Sequence, residues 1–173
     1  MATSATTESA SETATSAIGI CRSRRRKRMR VDFTVPGDPR GKQRPRFRRV
    51  GNYVQTYTPD ETISYENLVR MSYREAHGDF VFPEDVPLGM ELKIYLPIPK
   101  SVSKKKHEQM LSQDLRPLKK PDTSNVLKAV EDGLNRVAYW DDTQIVETIA
   151  HRYYSDRPRV DVILWEIIWK VGD

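Results

Sequence analysis

The sequence predicts an α/β domain of the mixed α+β kind: a small mixed sheet of about four strands flanked by helices. Residues 31–35, 90–96, 144–154 and 160–168 alternate apolar and polar side chains, the pattern of half-buried strands. Two stretches, 59–77 and 122–135, instead repeat apolar residues at helical spacing. The two kinds interleave in the order β–α–β–α–α–β–β, and no internal repeat is visible.

Taken in order, residues 31–35 form a short strand stopped by Pro36-Gly37. Residues 38–52 are a basic segment broken by Pro and Gly, read as a loop. Thr58 is the expected cap of the first helix, with Pro59 at its first position and Glu61 closing a capping box. That helix runs to about His77 and stops at Gly78, with Ile63, Tyr65, Leu68, Val69 and Tyr73 on its apolar side. The strand at 90–96 ends at Pro97 and Pro99, and Ser103 caps a short polar helix reaching about Ser112. After a basic loop, Asp122 opens a second amphipathic helix to about Asn135. In it Leu127, Val130 and Leu134 form the core stripe, while Asn125, Lys128 and Asp132 form a polar one. Trp140 is expected to pack the following turn. The last two strands, joined by a turn at 155–159, are predicted to pair as a hairpin, with Trp165, Trp169 and Ile163 in the sheet core or on a dimer face.

The chain has 173 residues, enough for one domain that folds without a disulfide or a structural metal. The expected division is a Ser/Thr/Ala-rich, then Arg-rich, disordered tail over 1–30 and a single domain over 31–173. There are 29 basic and 24 acidic residues, seven and two of them within the first 30, so the domain carries 22 of each. Affinity for nucleic acid must therefore rest on where charges sit, not on overall charge. The basic run at 22–30 reads as a solvated tail, a phosphate contact or a localisation signal. The lone cysteine, Cys21, excludes a disulfide framework and fits a reducing compartment. Neither a secretory leader nor a membrane span is expected, so the predicted location is cytoplasmic.

Chemistry concentrates between Pro121 and Val146. Asp122 opens the second helix, Asp132 lies on its polar stripe, and Asp141-Asp142 sit in the turn that leads back towards it. Two readings stand on residue types alone. The aspartates are caps and solvated turn residues, or they converge and need a divalent cation to offset their repulsion. Magnesium suits the second reading, because it takes oxygen ligands and keeps several waters. A bound cation activates water for attack on phosphorus, and Lys128 is placed to orient that water or hold the phosphate. Zinc is not expected: His77, His107 and His151 are scattered, without ligand spacing. No small-molecule cofactor is expected either.

Arg40, Lys42, Arg44, Arg46, Arg48 and Arg49 fall within ten residues, free of any acid and interleaved with Phe47 and followed by Tyr53. Such a segment suits sequence-blind phosphate contacts, with an aromatic available to stack on an unpaired base. Lys100, Lys104, Lys105, Lys106, Lys119 and Lys120 are a second candidate DNA patch, the last two just before Asp122.

The pattern Lys-Pro-Asp-x-x-Asn-x-x-Lys-x-x-x-Asp-x-Leu-Asn from Lys120, followed by Asp-Asp-x-Gln-Ile-Val, resembles the signature of the RusA family of Holliday-junction resolvases. The segments Pro36-Gly37, residues 41–46 and Tyr57-Thr58-Pro59 are similar to the N-terminal half of that family, so the resemblance spans roughly 31–168. It implies a homodimeric endonuclease dependent on Mg²⁺, with Mn²⁺ able to substitute, that resolves four-way DNA junctions by paired nicks. It also implies a bacterial or phage setting. The family's catalytic residues fall on Asp122, Asp142 and Lys128, with Asn125 in support. Many members carry a second Asp where this chain has Ser124. Serine supplies no charged ligand, so Asp132 or Asp141 would complete the site, or the cation is held more weakly. The same departure motivates an alternative, a non-catalytic relative that binds branched DNA. An RNA-binding protein is a third class, but no RNP, KH or dsRBD pattern supports it.

Overall fold

The computed structural model describes residues 28–168 apart from Pro45, Asn52 and Thr58. The predicted tail up to residue 27, the Thr58 cap and Trp169 lie outside the described residues. The elements are β1 (Arg30–Pro36), β2 (Arg46–Val50), β3 (Tyr53–Tyr57), α1 (Asp60–His77), β4 (Leu88–Pro97), α2 (Lys104–Leu111), α3 (Thr123–Leu134), β5 (Ile145–Ser155) and β6 (Arg159–Glu166). A short 3₁₀ turn, Asp142–Gln144, precedes β5.

The mixed four-stranded sheet runs β1-β6-β4-β5. Strand β4 is central because it has the longest apolar run: Leu88, Met90, Leu92, Ile94 and Leu96 are all buried on one face. Val31, Phe33 and Val35 of β1 and Val160, Val162 and Leu164 of β6 extend that face. Helices α1 and α3 cover it, contributing Tyr65, Val69 and Tyr73 from the first and Val126, Ala129, Val130 and Leu134 from the second. Burial of this face is the main source of stability. On the opposite face the Trp165 ring lies over Gly89, its cross-strand partner, where a Cβ would come within 2.2 Å of the ring.

The two helices cross closely at Gly133. A Cβ there would stand 2.9 Å from Val69 Cβ and 3.0 Å from the Glu66 carbonyl oxygen. Arg70 Nε donates to the Gly133 carbonyl at 3.2 Å across the same crossing.

Four expectations are corrected. Strands β5 and β6 do not pair as a hairpin: β5 runs parallel to β4, and β6 runs antiparallel to β4 on its other edge. The turn between them straddles the end of β4 at Pro97, whose register partner is Ser155. Two strand spacings, about 9.6 Å, lie within the reach of that short connection. Second, the segment expected as a loop contains an antiparallel ribbon, β2–β3. Third, the core stripe of α3 is Val126, Ala129, Val130, Gly133 and Leu134, while Leu127 is only partly buried. Small residues were passed over because periodicity weighs bulk, whereas close helix crossing demands its absence. Fourth, Trp140 does not pack into the core but is exposed, as is Ile63 of α1.

Candidate active site

The single polar stripe expected on helix α3 is divided in two: Asn125 and Asp132 face the basic segment, whereas Lys128 lies with Ser124 and Glu131. Against the first lies the segment 38–44, which comes so close that a Cβ at Gly41 would stand 2.9 Å from Asn125 Cβ and 3.2 Å from Pro121 Cβ. The Lys42 backbone N–H donates to the Asn125 carbonyl at 2.8 Å, and the Lys42 ammonium pairs with Asp132. On the far side the segment is held to α1: Gln43 Nε2 donates to Glu61 at 2.9 Å, and Arg40 lies 3.7 Å from the same carboxylate. Burial, and then Asp132, push the Glu66 carboxyl above the usual carboxylate range, while Lys42 and Arg70 oppose that rise. Asp132 thus belongs to a bridge joining α3, α1 and the basic segment.

The second stripe carries Ser124, Lys128 and Glu131 at positions i, i+4 and i+7. It faces the turn that bears Asp142. Burial, then Asp142, then Asp132 push the Glu131 carboxyl up, with Lys128 opposing them. Beside it the Tyr139 hydroxyl, fully buried, donates to the Glu131 carbonyl at 2.9 Å. Burial drives that phenol well above its ordinary range, and the carboxylates of Glu131, Asp142, Asp132 and Asp141 add to the effect. Two separate groups therefore feel the same concentration of negative charge.

The Asp141-Asp142 pair is divided by its local fold. The Asp141 carboxylate accepts from the Thr143 N–H at 3.0 Å and closes a capping box with Gln144, whose Oε1 accepts from the Trp140 N–H at 2.8 Å. The Thr143 contacts hold the Asp141 carboxyl low. Gln144, buried, also donates through Nε2 to the carbonyls of Pro83 at 2.8 Å and Val86 at 3.1 Å. Asp141 therefore builds the turn, and the exposed Asp142 is the member of the pair that acts on Glu131.

Asp122 occupies the N-cap position of α3, but its side chain makes no capping hydrogen bond. Its Oδ2 instead accepts from Asn125 Nδ2 at 3.4 Å. The carboxylate sits at the positive end of the helix dipole and lines a groove of about 740 Å³. Arg40, Lys42, Arg44 and Lys120 line the same groove, together with Leu96 and Pro97 at the end of β4. Lys119 is exposed beside it, and the Arg46 side chain lies outside the described residues.

Of the expected site residues, Asp122, Asn125 and Lys120 come together at the groove, while Asp142 and Lys128 act on the Glu131 carboxyl with opposite charge. Among the described residues no three His, Cys, Asp or Glu side chains gather closely enough to enclose a metal ion. The donors nevertheless fit magnesium in kind. They are hard carboxylate oxygens, and Asp142 and Asp132 raise the Glu131 carboxyl through their charge; Mg²⁺ is commonly held by one or two carboxylates with water filling the other positions. Glu131 was missed in the sequence; its helical spacing from Ser124 and Lys128 was the available signal.

The family model for the endodeoxyribonuclease RusA matches residues 36–164, a span that includes both stripes, the Asp141-Asp142 turn and the basic segment. The uncharacterized protein YqaN of Bacillus subtilis (strain 168) is 35% identical over 139 residues, covering 79% of this chain and 96% of that protein. No helix among the described residues is long and apolar enough to cross a membrane.

Proposed function

Since the chain belongs to the RusA endodeoxyribonuclease family, we propose that it is a Mg²⁺-dependent enzyme resolving Holliday junctions or other branched DNA by paired phosphodiester nicks. A homodimer in the cytoplasm of a bacterial or phage-infected cell would carry it out, each protomer placing one site on a two-fold symmetric junction. The observation that carries the reading is the division of labour among the acids. Asp141 caps a turn and Asp132 pairs with Lys42, whereas the Asp122 side chain makes no capping bond and the exposed Asp142 carboxylate touches the neighbouring Asp141 side chain.

Asp122 and Asp142 would hold the cation, with Glu131 supplying the carboxylate that Ser124 does not. When bound, Mg²⁺ lowers the pKa of a water and offsets charge on the phosphate. Asn125 orients Asp122 through its hydrogen bond. Lys128, exposed on the Glu131 stripe, is positioned to hold a phosphate oxygen as charge develops on it. Arg40, Arg44, Lys119 and Lys120 would track the DNA backbone along the groove, and Lys42 fixes the segment that carries the first two.

The test is a synthetic four-way junction incubated with Mg²⁺ and the full-length protein or its Asp142→Asn variant. Symmetric nicking by the parent should fall by at least about a hundredfold in the variant, with binding retained. Mg²⁺ should raise the Tm of the parent and not of the variant. Junction binding by both proteins with no cleavage by either would establish the non-catalytic alternative that Ser124 motivates.

A further inference from the structure

The β2–β3 ribbon has no role in the site described so far. Every ribbon side chain that the structure describes is exposed, on both faces. Among them are large apolar groups: Phe47 is 73% exposed, Tyr53 82% and Val54 67%. The register pairs Phe47 with Thr56, Arg48 with Gln55 and Arg49 with Val54. Phe47 and Arg49 therefore share one face, and Arg48 and Tyr53 share the other. The tip turns at Gly51 with φ +62°, as the tight turns of two-stranded hairpins require.

An isolated two-stranded ribbon is barely stable in water by itself, and aromatic groups bared on both of its faces add nothing to the core. Such a surface answers to a partner. No acid occurs between Asp38 and Asp60, so the partner is an anion rather than a second copy of the ribbon. An isologous contact would set Arg48 and Arg49 against their own counterparts. The segment 38–44 leads into the ribbon directly from the groove lined by Arg40, Arg44 and Asp122.

We propose that the β2–β3 ribbon reads the branch point of the DNA: Phe47 and Tyr53 stack on bases left unpaired where the arms meet, while Arg48 and Arg49 hold the adjoining phosphates. The inference rests on the branched-DNA reading above and adds the element that separates a junction from a plain duplex. Stacking needs only a π-face, so the contact recognises unpaired bases of any sequence. A linear duplex offers none.

The test compares the parent with the Phe47→Ala/Tyr53→Ala double variant, without divalent metal, on two probes. One is a four-way junction with 2-aminopurine at the branch point, and the other is a linear duplex of matching sequence. Junction affinity should fall by roughly tenfold to a hundredfold, duplex affinity should hold, and the fluorescence change at the branch point should vanish. A Phe47→Trp/Tyr53→Trp variant should keep junction affinity and the fluorescence change near the parent's, with duplex affinity again unchanged. Unchanged junction affinity and fluorescence would overturn the inference. So would an equal loss on both DNAs, which marks a general backbone contact, or a changed oligomeric state, which marks the ribbon as a contact between protomers. If the parent binds and cuts junctions in Mg²⁺ while the double variant behaves identically, the ribbon inference alone falls. If the parent neither binds nor cuts, the branched-DNA reading falls and takes the ribbon with it.

Discussion

Strand β4 and the β2–β3 ribbon obey the same backbone rules and end in opposite environments. In β4 every second side chain from Leu88 to Leu96 is buried, and a hydrogen-bonded strand lies on each side. In the ribbon the described side chains face solvent all round, including a Phe and a Tyr. The contrast separates two demands on a sequence. The first strand is constrained by packing, where a single methylene is felt. The second is constrained by whatever docks on it. Exposed aromatics among arginines therefore carry information about function that buried leucines do not.

That contrast can be broken most forcefully at the helix crossing. Gly133→Val should destabilise the fold by about 3 kcal/mol, because even its Cβ meets Val69 and the backbone of Glu66. Urea titration followed by circular dichroism measures it, and an unchanged midpoint would show that the crossing is looser than described. A smaller effect is expected at Glu131. Burial and the neighbouring Asp142 raise its folded pKa, so its contribution to stability is full below the ordinary carboxylate range and is lost as pH rises through the raised value. Glu131→Gln should accordingly stabilise the metal-free protein at neutral pH, by under about 1 kcal/mol given solvent screening. The gain should shrink on acidification, and Tm measured from pH 4 to 8 would reveal a gain of the wrong sign or slope. The smallest effect belongs to the ribbon: Phe47→Ala/Tyr53→Ala should shift stability by no more than about 0.5 kcal/mol. A loss of several kcal/mol in the same titration would mean that the ribbon packs on the body after all.

Much of this was legible in the sequence, and the failures share a cause. Alternation announced β1, β4 and β6, because a pleated strand with one buried face must alternate, and it also marked β5, an edge strand none of whose residues is fully buried. It said nothing of partners, so β5 and β6 were paired as sequence neighbours while β4 lay between them. The ribbon was hidden by its arginines, although Gly51-Asn52 between two five-residue runs was a usable hairpin signal. At the proposed site, Asp122, Lys128 and Asp142 were singled out by the family signature, spacing alone leaving caps and cation ligands both open. The roles of Asp141 and Asp132 did not, since a capping box through Gln144 and an ion pair with Lys42 are settled only in three dimensions. Glu131 was passed over for the same reason: the influence of Asp142 on it arises through the fold.

Gly41 has a consequence for how such a chain can diversify. No side chain fits between it, Asn125 and Pro121, and the adjoining Lys42 is latched to α3 through both its backbone and its ammonium. The root of the ribbon is therefore fixed to the scaffold, while none of the ribbon residues whose side chains are described, 47–49 and 53–56, belongs to the core. Surface excursions anchored in this way tolerate insertion and exchange. The ribbon is thus a segment whose described side chains can be exchanged at little cost to the core, while the acid-bearing helix beside its root stays in place.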